Sequence, residues 1–300
     1  MRLLENLYRM TITVSKNLSK NIAFYHKDCS DGTMSAAIFL RKYPDAILIP
    51  VAHKMSREDV IALCKDLDRE SNVWTLDSAI HVDYLIETFT SVTTFDHHIS
   101  IEDECRALDE KHDNYTFVFD NKKSGATVTW AQLFPDEEEP TLLKYVEDVD
   151  IFTQKYGEDS FAAITYLYLY VDNPDKFLEL LEINIDEILE RGRILRLQDN
   201  MKIEKMEQFD PIMLIVDDLS VISYNSSVLK NWFAAKMGEK HNAAVIAYTI
   251  KGETTTMSIR SPEGVVPSAL DVAEKMGGGG HTNSAGAAMK TKDFLRALQI

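Results

Sequence analysis

NIAFYHKDCSDGTMSAAIFLRKY, Asn21 to Tyr43, reads as a strand (NIAFYH) that breaks at a polar loop and restarts as a helix over MSAAIFLRKY. The same alternation continues downstream. AILIPVA (46–52) reads as a strand and SREDVIALCKDL (56–67) as a helix with Ser56 at its N-cap. NVWTLDSAI (72–80) is a third strand, HVDYLIETF (81–89) a helix, SVTTFDHH (91–98) a fourth strand and YTFVFD (115–120) a fifth. This β-α-β-α order predicts an α/β fold, a doubly wound and mostly parallel sheet with helices on both faces.

SGATVTWAQLF (124–134) and EEPTLLKYVEDVDIF (138–152) read as helices beside that sheet. The stretch from Pro174 to Met206 is too long for a loop and predicts one or two connecting helices. A second, smaller α/β unit starts near Pro211. IMLIV and SVISYN read as strands, SSVLKNWFAAKMG as a helix, and AAVIAYTI and TTTMSIRS as a hairpin across KGE. PSALDVAEKMG reads as a helix ended by glycines, NSAGAAM as a strand and DFLRALQI as a closing helix. The expected organisation is a domain over 1–173, a helical linker over 174–210 and a second domain over 211–300.

The 300 residues are 45% apolar, enough for a packed core and too many for a disordered chain. With 48 acidic against 32 basic residues the formal charge is -16, which argues against gripping long duplex nucleic acid. It leaves room for a small anionic substrate if bound metal compensates the carboxylates. No apolar run is long enough to span a membrane, and the N-terminus lacks the apolar centre of a signal peptide, so a cytoplasmic protein is expected. Cys29, Cys64 and Cys105 are odd in number and widely spaced, so no disulfide framework is expected.

His26, Asp28 and Asp31 follow the first strand, Asp77 closes the third, and Asp96, His97 and His98 close the fourth. In a parallel sheet those ends lie on one edge, where open α/β sheets bind ligands, so residues far apart in sequence converge. Carboxylates and imidazoles favour manganese, magnesium or similar cations, and two such ions activate water and neutralise a phosphoryl group. Each cluster also has an ordinary reading: a strand-end histidine, an Asp-Gly turn, an aspartate capping the next helix. Their coincidence at matching strand ends favours metal. Cys29 beside His26 reads as a small packing residue of the loop rather than a nucleophile. His53, His81, His112 and His241 read as surface or structural. In the second unit GGGGHTNSAG (277–286) offers backbone N–H groups to an anion, with His281 and Asn283 adding hydrogen bonds and Arg260 a bidentate phosphate contact. The competing reading is a glycine C-cap and a structural arginine.

Taken together, these motifs resemble the DHH phosphoesterase superfamily, in the branch with a DHH-associated C-terminal domain, over about Asn21 to Met289. YHKDCSDGTMSA is similar to its first motif, Asp77 stands for the second, FDHH is the third, VEDVDIF the fourth, and SIRS with GGGGH is similar to the substrate-binding signature. The resemblance implies a two-domain enzyme with its active site in the interdomain cleft and two Mn²⁺ ions, Mg²⁺ or Co²⁺ being substitutes. His26, Asp28, Asp31, Asp77 and His97 would bind metal, with Asp77 bridging. His98 would face the substrate phosphate and Asp96 would orient the triplet. Arg260, Gly278, Gly279, Gly280 and His281 would hold the substrate. In this chain Asp28 and Asp31 are three residues apart where many relatives have two, which makes Asp28 the weaker candidate. Both Asp148 and Asp150 are candidates in the fourth motif. Spacing to Phe152 favours Asp148, and a helix turns the two about 200° apart, so one ion takes only one of them.

The implied activity is hydrolysis of phosphate esters of short oligonucleotides or small nucleotides by a water that two metals activate. The alternatives are a polyphosphatase or pyrophosphatase of the same superfamily, and a nucleotide sensor without turnover. No long duplex nucleic acid and no membrane are expected as partners; a homodimer is the candidate assembly.

Overall fold

The computed structural model describes residues 20–52 and 55–299; the N-terminal stretch and His53 lie outside them. The chain forms two compact units, one reaching as far as Arg196 and the other starting at Leu197. In the first, strands β1 (Asn21–His26), β2 (Ile47–Val51), β3 (Asn72–Leu76), β4 (Ser91–Asp96) and β5 (Tyr115–Phe119) form one sheet in the order β2-β1-β3-β4-β5. Every pair is parallel. The alternation along β1 explains why both faces are covered. Ile22 and Phe24 enter one core with Val60, Leu85 and Ile86. Ala23 and Tyr25 enter the other with Met34, Ile38, Ala126, Val128 and Leu143. Strands buried on both faces are what a doubly wound sheet requires. The order reverses between β1 and β3, so the carboxyl ends of these two strands flank the topological switch point.

The first helix, α1 (Ser30–Lys42), starts four residues earlier than its apolar pattern predicts. The Cys29 carbonyl accepts from both the Thr33 N–H (3.1 Å) and the Thr33 hydroxyl (2.7 Å), which closes the first turn around Asp31 and Gly32. The next helices on this side of the chain are α2 (Arg57–Cys64), α3 (Val82–Thr88), α4 (Glu102–Lys111), α5 (Gly125–Leu133), α6 (Thr141–Asp150) and α7 (Glu158–Leu167). The Pro174–Met206 stretch is two helices, α8 (Pro174–Leu181) and α9 (Ile185–Met206). Phe177, Leu180, Ile188 and Leu189 belong to the core of the first unit.

The second unit is a seven-stranded mixed sheet: β6 (Ile212–Val216), β7 (Leu219–Asn225), β8 (Val245–Lys251), β9 (Thr254–Arg260), β10 (Gly279–His281), β11 (Ser284–Lys290) and β12 (Leu298–Gln299). Its faces also alternate. Val245 and Ala247 meet Phe233 and Met237 of α10 (Lys230–His241), while Ile246 and Tyr248 meet Ala269, Val272 and Phe294 of α11 (Ala269–Lys275) and α12 (Thr291–Ala297). The glycine run departs from a free loop, because Gly279, Gly280 and His281 pair with Gly286, Ala285 and Ser284. No helix among the described residues is long and apolar enough to cross a membrane.

Candidate metal centre

At the carboxyl edge of the parallel sheet, β1 ends at His26 and β4 at Asp96, and Asp77 follows β3 with a left-handed φ of 54°. The His97 Nε2 lies 3.2 Å from Asp77 Oδ1, 3.2 Å from Asp150 Oδ2 and 4.0 Å from Asp31 Oδ2. His26 Nδ1 is 3.3 Å from Asp77 Oδ2. Three sets of donor atoms each gather within 4.8 Å: His26, Cys29 and Asp77; Asp77, His97 and His98; Asp31, His97 and Asp150. Asp77 Oδ1, His97 Nε2 and Asp150 Oδ2 are buried and have no hydrogen-bond partner among the described residues. Buried polar atoms without partners are costly, and carboxylates packed together repel. A divalent cation resolves both, so these residues fit a metal centre by the chemistry of the donors themselves.

The electrostatics carry the same strain. Burial, then Asp77, push the Asp31 carboxyl up to about 6. Burial, then Asp31 and Asp77, push Asp150 well above the carboxylate range. Asp77 goes the other way: burial raises it, but the adjoining His26 and His97 imidazoles outweigh this and hold it low. His97 is lowered by burial yet carried up to about 9 by Asp77 and Asp150. His98 is raised too, its burial outweighed by its bond to Asp96.

Local structure aims each group. Asp31 accepts from the backbone N–H of Gly125 (2.6 Å) and Ala126 (3.0 Å), the first residues of α5. A Cβ on Gly125 would stand 2.8 Å from Asp77 Cβ and 2.9 Å from Asp31 Oδ2, so only glycine lets the helix end approach the carboxylates. Gly32 is under similar constraint, since its Cβ would sit 2.1 Å from the His26 carbonyl oxygen. Asp96 is 1% exposed and is spent on the backbone. Its Oδ1 accepts from the N–H of His97 (2.7 Å) and His98 (3.0 Å) and contacts His98 Nδ1 at 2.8 Å, while its Oδ2 accepts from Ala79 N–H at 3.0 Å.

The structure separates candidates that the sequence left together. Asp150 reaches His97; Asp148, the residue favoured on spacing, does not join the cluster. The Asp148 carboxylate accepts from the Thr153 hydroxyl, the Lys155 N–H (2.6 Å), the Tyr156 N–H (3.2 Å) and the Ser160 hydroxyl (2.5 Å). These bonds overcome burial and hold its carboxyl below the usual range. Asp28 also lies outside the three donor sets. Its side chain is 77% exposed, and its backbone N–H, at φ 56°, donates to Asp172 Oδ1 at 2.8 Å. The thiol of Cys29, expected only to pack, stands among the donors. Gly125 and Asp172 escaped the sequence reading. A Ser-Gly step opening a helix was the available signal for Gly125; for Asp172 there was none. The structural histidines are engaged elsewhere: His81 Nε2 meets the Met55 carbonyl at 3.0 Å and His241 Nε2 the Tyr224 hydroxyl at 2.8 Å.

In the second unit, Arg260, Gly279 and Gly280 line an open cavity of about 310 Å³. Lys230, Asn231, Ser258 and Ser284 line it as well, and no carboxylate among the described residues does. The Arg260 guanidinium is steadied by the carbonyls of Ile259 (2.8 Å) and Ala285 (3.1 Å). Gly278 and the exposed His281 are not among the lining residues. Lys230, from the start of α10, carried no motif that would single it out.

Known structures share this architecture at low identity. A pGpG-specific phosphodiesterase, PggH from Vibrio cholerae, superimposes with a TM-score of 0.52 at 14% identity, covering 92% of this chain and 95% of that one. The exonuclease RecJ bound to manganese gives 0.50 at 16%, covering 98% and 90%. The fold is DHH-like. CDC45 from Entamoeba histolytica gives 0.50 at 10% identity, covering 99% and 97%. No family model matches the chain. In sequence it is 28% identical over 291 residues to the uncharacterized protein R106 of Acanthamoeba polyphaga mimivirus, covering 89% of this chain and 67% of that protein.

Proposed function

We propose that this chain is a metal-dependent phosphoesterase that hydrolyses phosphate esters of short oligonucleotides or small nucleotides. The observation that carries the proposal is the trio of buried, unpartnered atoms on Asp77, His97 and Asp150, gathered at the switch point of a doubly wound sheet. His26, Asp31, Asp77, His97 and Asp150 would hold the ions, with Mn²⁺ the first choice because the similarly folded RecJ is bound to manganese. Bound divalent ions supply charge neutralisation at a phosphoryl group and an activated water.

The protein's own residues have distinct tasks in this reading. Asp96 fixes His98 through Nδ1, and the His98 ring, 37% exposed in its side chain, would contact a substrate phosphate. Its raised affinity for a proton favours the charged form, which donates to an anionic oxygen. In the second unit, the cationic cavity with Arg260 and Lys230 suits an anionic group. The charge of -16 favours short chains over long duplexes.

The test is a substrate panel with Mn²⁺, resolving products by chromatography: dinucleotides, longer oligonucleotides, 3′-phosphorylated nucleotides and polyphosphate. Release of nucleoside monophosphates from dinucleotides is expected. Preferential cleavage of polyphosphate would move the assignment to that class, and binding of nucleotide with no hydrolysis of any substrate would make the chain a sensor.

A further inference from the structure

We infer that Cys29 is a metal ligand, and that the position formed by His26, Cys29 and Asp77 takes a softer divalent ion than manganese. The inference rests on the metal-centre reading above and goes beyond it in assigning the thiol and the ion class. The donor atoms of these three residues lie within 4.8 Å of one another. Asp77 is 1% exposed, and its Oδ2 stands 3.3 Å from His26 Nδ1.

The place of Cys29 in the fold argues against a packing role. It is the N-cap of α1, where Ser, Thr, Asp or Asn would satisfy an open backbone N–H. Its side chain makes no capping hydrogen bond. Its carbonyl takes up the first helical bonds from Thr33, and its sulfur stands in the donor cluster. Cys64 and Cys105, by contrast, are buried in the apolar core with Val60, Leu85 and Val92.

Thiolate with imidazole suits zinc, cobalt or ferrous iron, whereas the neighbouring set of Asp31, His97 and Asp150 offers only oxygen and nitrogen and suits manganese or magnesium. The centre therefore presents two positions of unequal softness. As the sulfur–metal bond forms, the thiol proton leaves to solvent.

The test uses the metal-free full-length chain titrated with Co²⁺. Thiolate-to-cobalt charge-transfer absorption in the near ultraviolet is expected in the wild type and its loss in Cys29→Ser, with the visible cobalt bands retained. Zn²⁺ affinity should fall by about 100-fold in Cys29→Ser, at the upper end of what even an outer-shell loss costs, while Mn²⁺ affinity moves by only about 3-fold or less. Cobalt bound without the charge-transfer band, or a band that survives in Cys29→Ser, overturns the inference and leaves the metal centre standing. Failure to bind any of the three ions overturns both. If Cys29→Ser does not fold, alkylation of the wild type decides, read by peptide mapping with buried Cys64 and Cys105 as internal references. Zn²⁺ should protect Cys29 from iodoacetamide, and equal labelling with and without Zn²⁺ overturns the assignment.

Discussion

Two aspartates two residues apart do opposite jobs. Asp148 ties down the turn from Thr153 to Ser160 through four hydrogen bonds, and Asp150 faces His97. Asp148→Ala should therefore cost stability, about 3 kcal/mol or more because several buried bonds to a charge are lost together. Asp150→Asn should leave the melting temperature of the metal-free protein unchanged or higher, since it removes a repelled carboxylate, and should weaken Mn²⁺ binding. Denaturant unfolding and metal titration on the two variants check this, and the reverse pattern would return Asp148 to the metal. At His98 the expectation is different again. His98→Ala should lower turnover by about 10²–10³-fold, the scale set by losing one donor to a developing charge, with metal content retained by elemental analysis. Sequence alone could not sort these residues. The triplet Asp96-His97-His98 was legible as chemistry, but which atom of each points where depends on backbone that other segments hold.

At the scale of elements, the decisive contact is a helix end on a carboxylate. The N-terminus of α5 donates two N–H bonds to Asp31 and can do so only because residue 125 is glycine. The helix dipole adds to these bonds in steadying negative charge there. Gly125→Ala should displace α5 or Asp77, weaken metal binding and lower the melting temperature. Calorimetry with and without Mn²⁺ would show both effects, and unchanged metal affinity would mean that α5 does not set the site. The strand and helix pattern was readable because apolar residues recur with clear periods on both faces of each strand. The start of α1 was missed since polar residues there hide a turn held by the Cys29 carbonyl. The strand within the glycine run was not legible because glycine carries no side-chain alternation, and its pairing is set by β11.

Across the whole molecule, the candidate metal centre is a store of unfavourable charge. In the metal-free protein the folded Asp31 keeps its proton up to about 6, whereas the unfolded chain releases it near 3.8. Its contribution therefore favours folding at low pH and is lost as pH rises from about 4 through about 6. His97 behaves likewise with the window shifted up: its contribution is full below about 6.5 and is lost as pH rises through about 9. Metal-free stability should fall from pH 6 to pH 9 on account of this cluster. Metal binding must expel those protons, so the rise in melting temperature on adding Mn²⁺ should be larger at pH 8 than at pH 6. Thermal unfolding at the two pH values checks the prediction, and an equal or opposite shift would exclude these groups as the ligands.

The sequence by itself determined the class of fold, the edge of the sheet on which the chemistry gathers and most of the residue types gathered there. Those follow from local periodicity and from the rule that parallel strands end on one side. Only the tertiary structure decided that Asp150 faces the centre and Asp148 does not, that Asp28 stands apart, that a thiol joins the donors and that Lys230 lines one cavity with Arg260. These outcomes depend on distances between segments remote in sequence, where helix phase, a left-handed residue or a missing Cβ moves a side chain by several ångströms, and no local pattern records that.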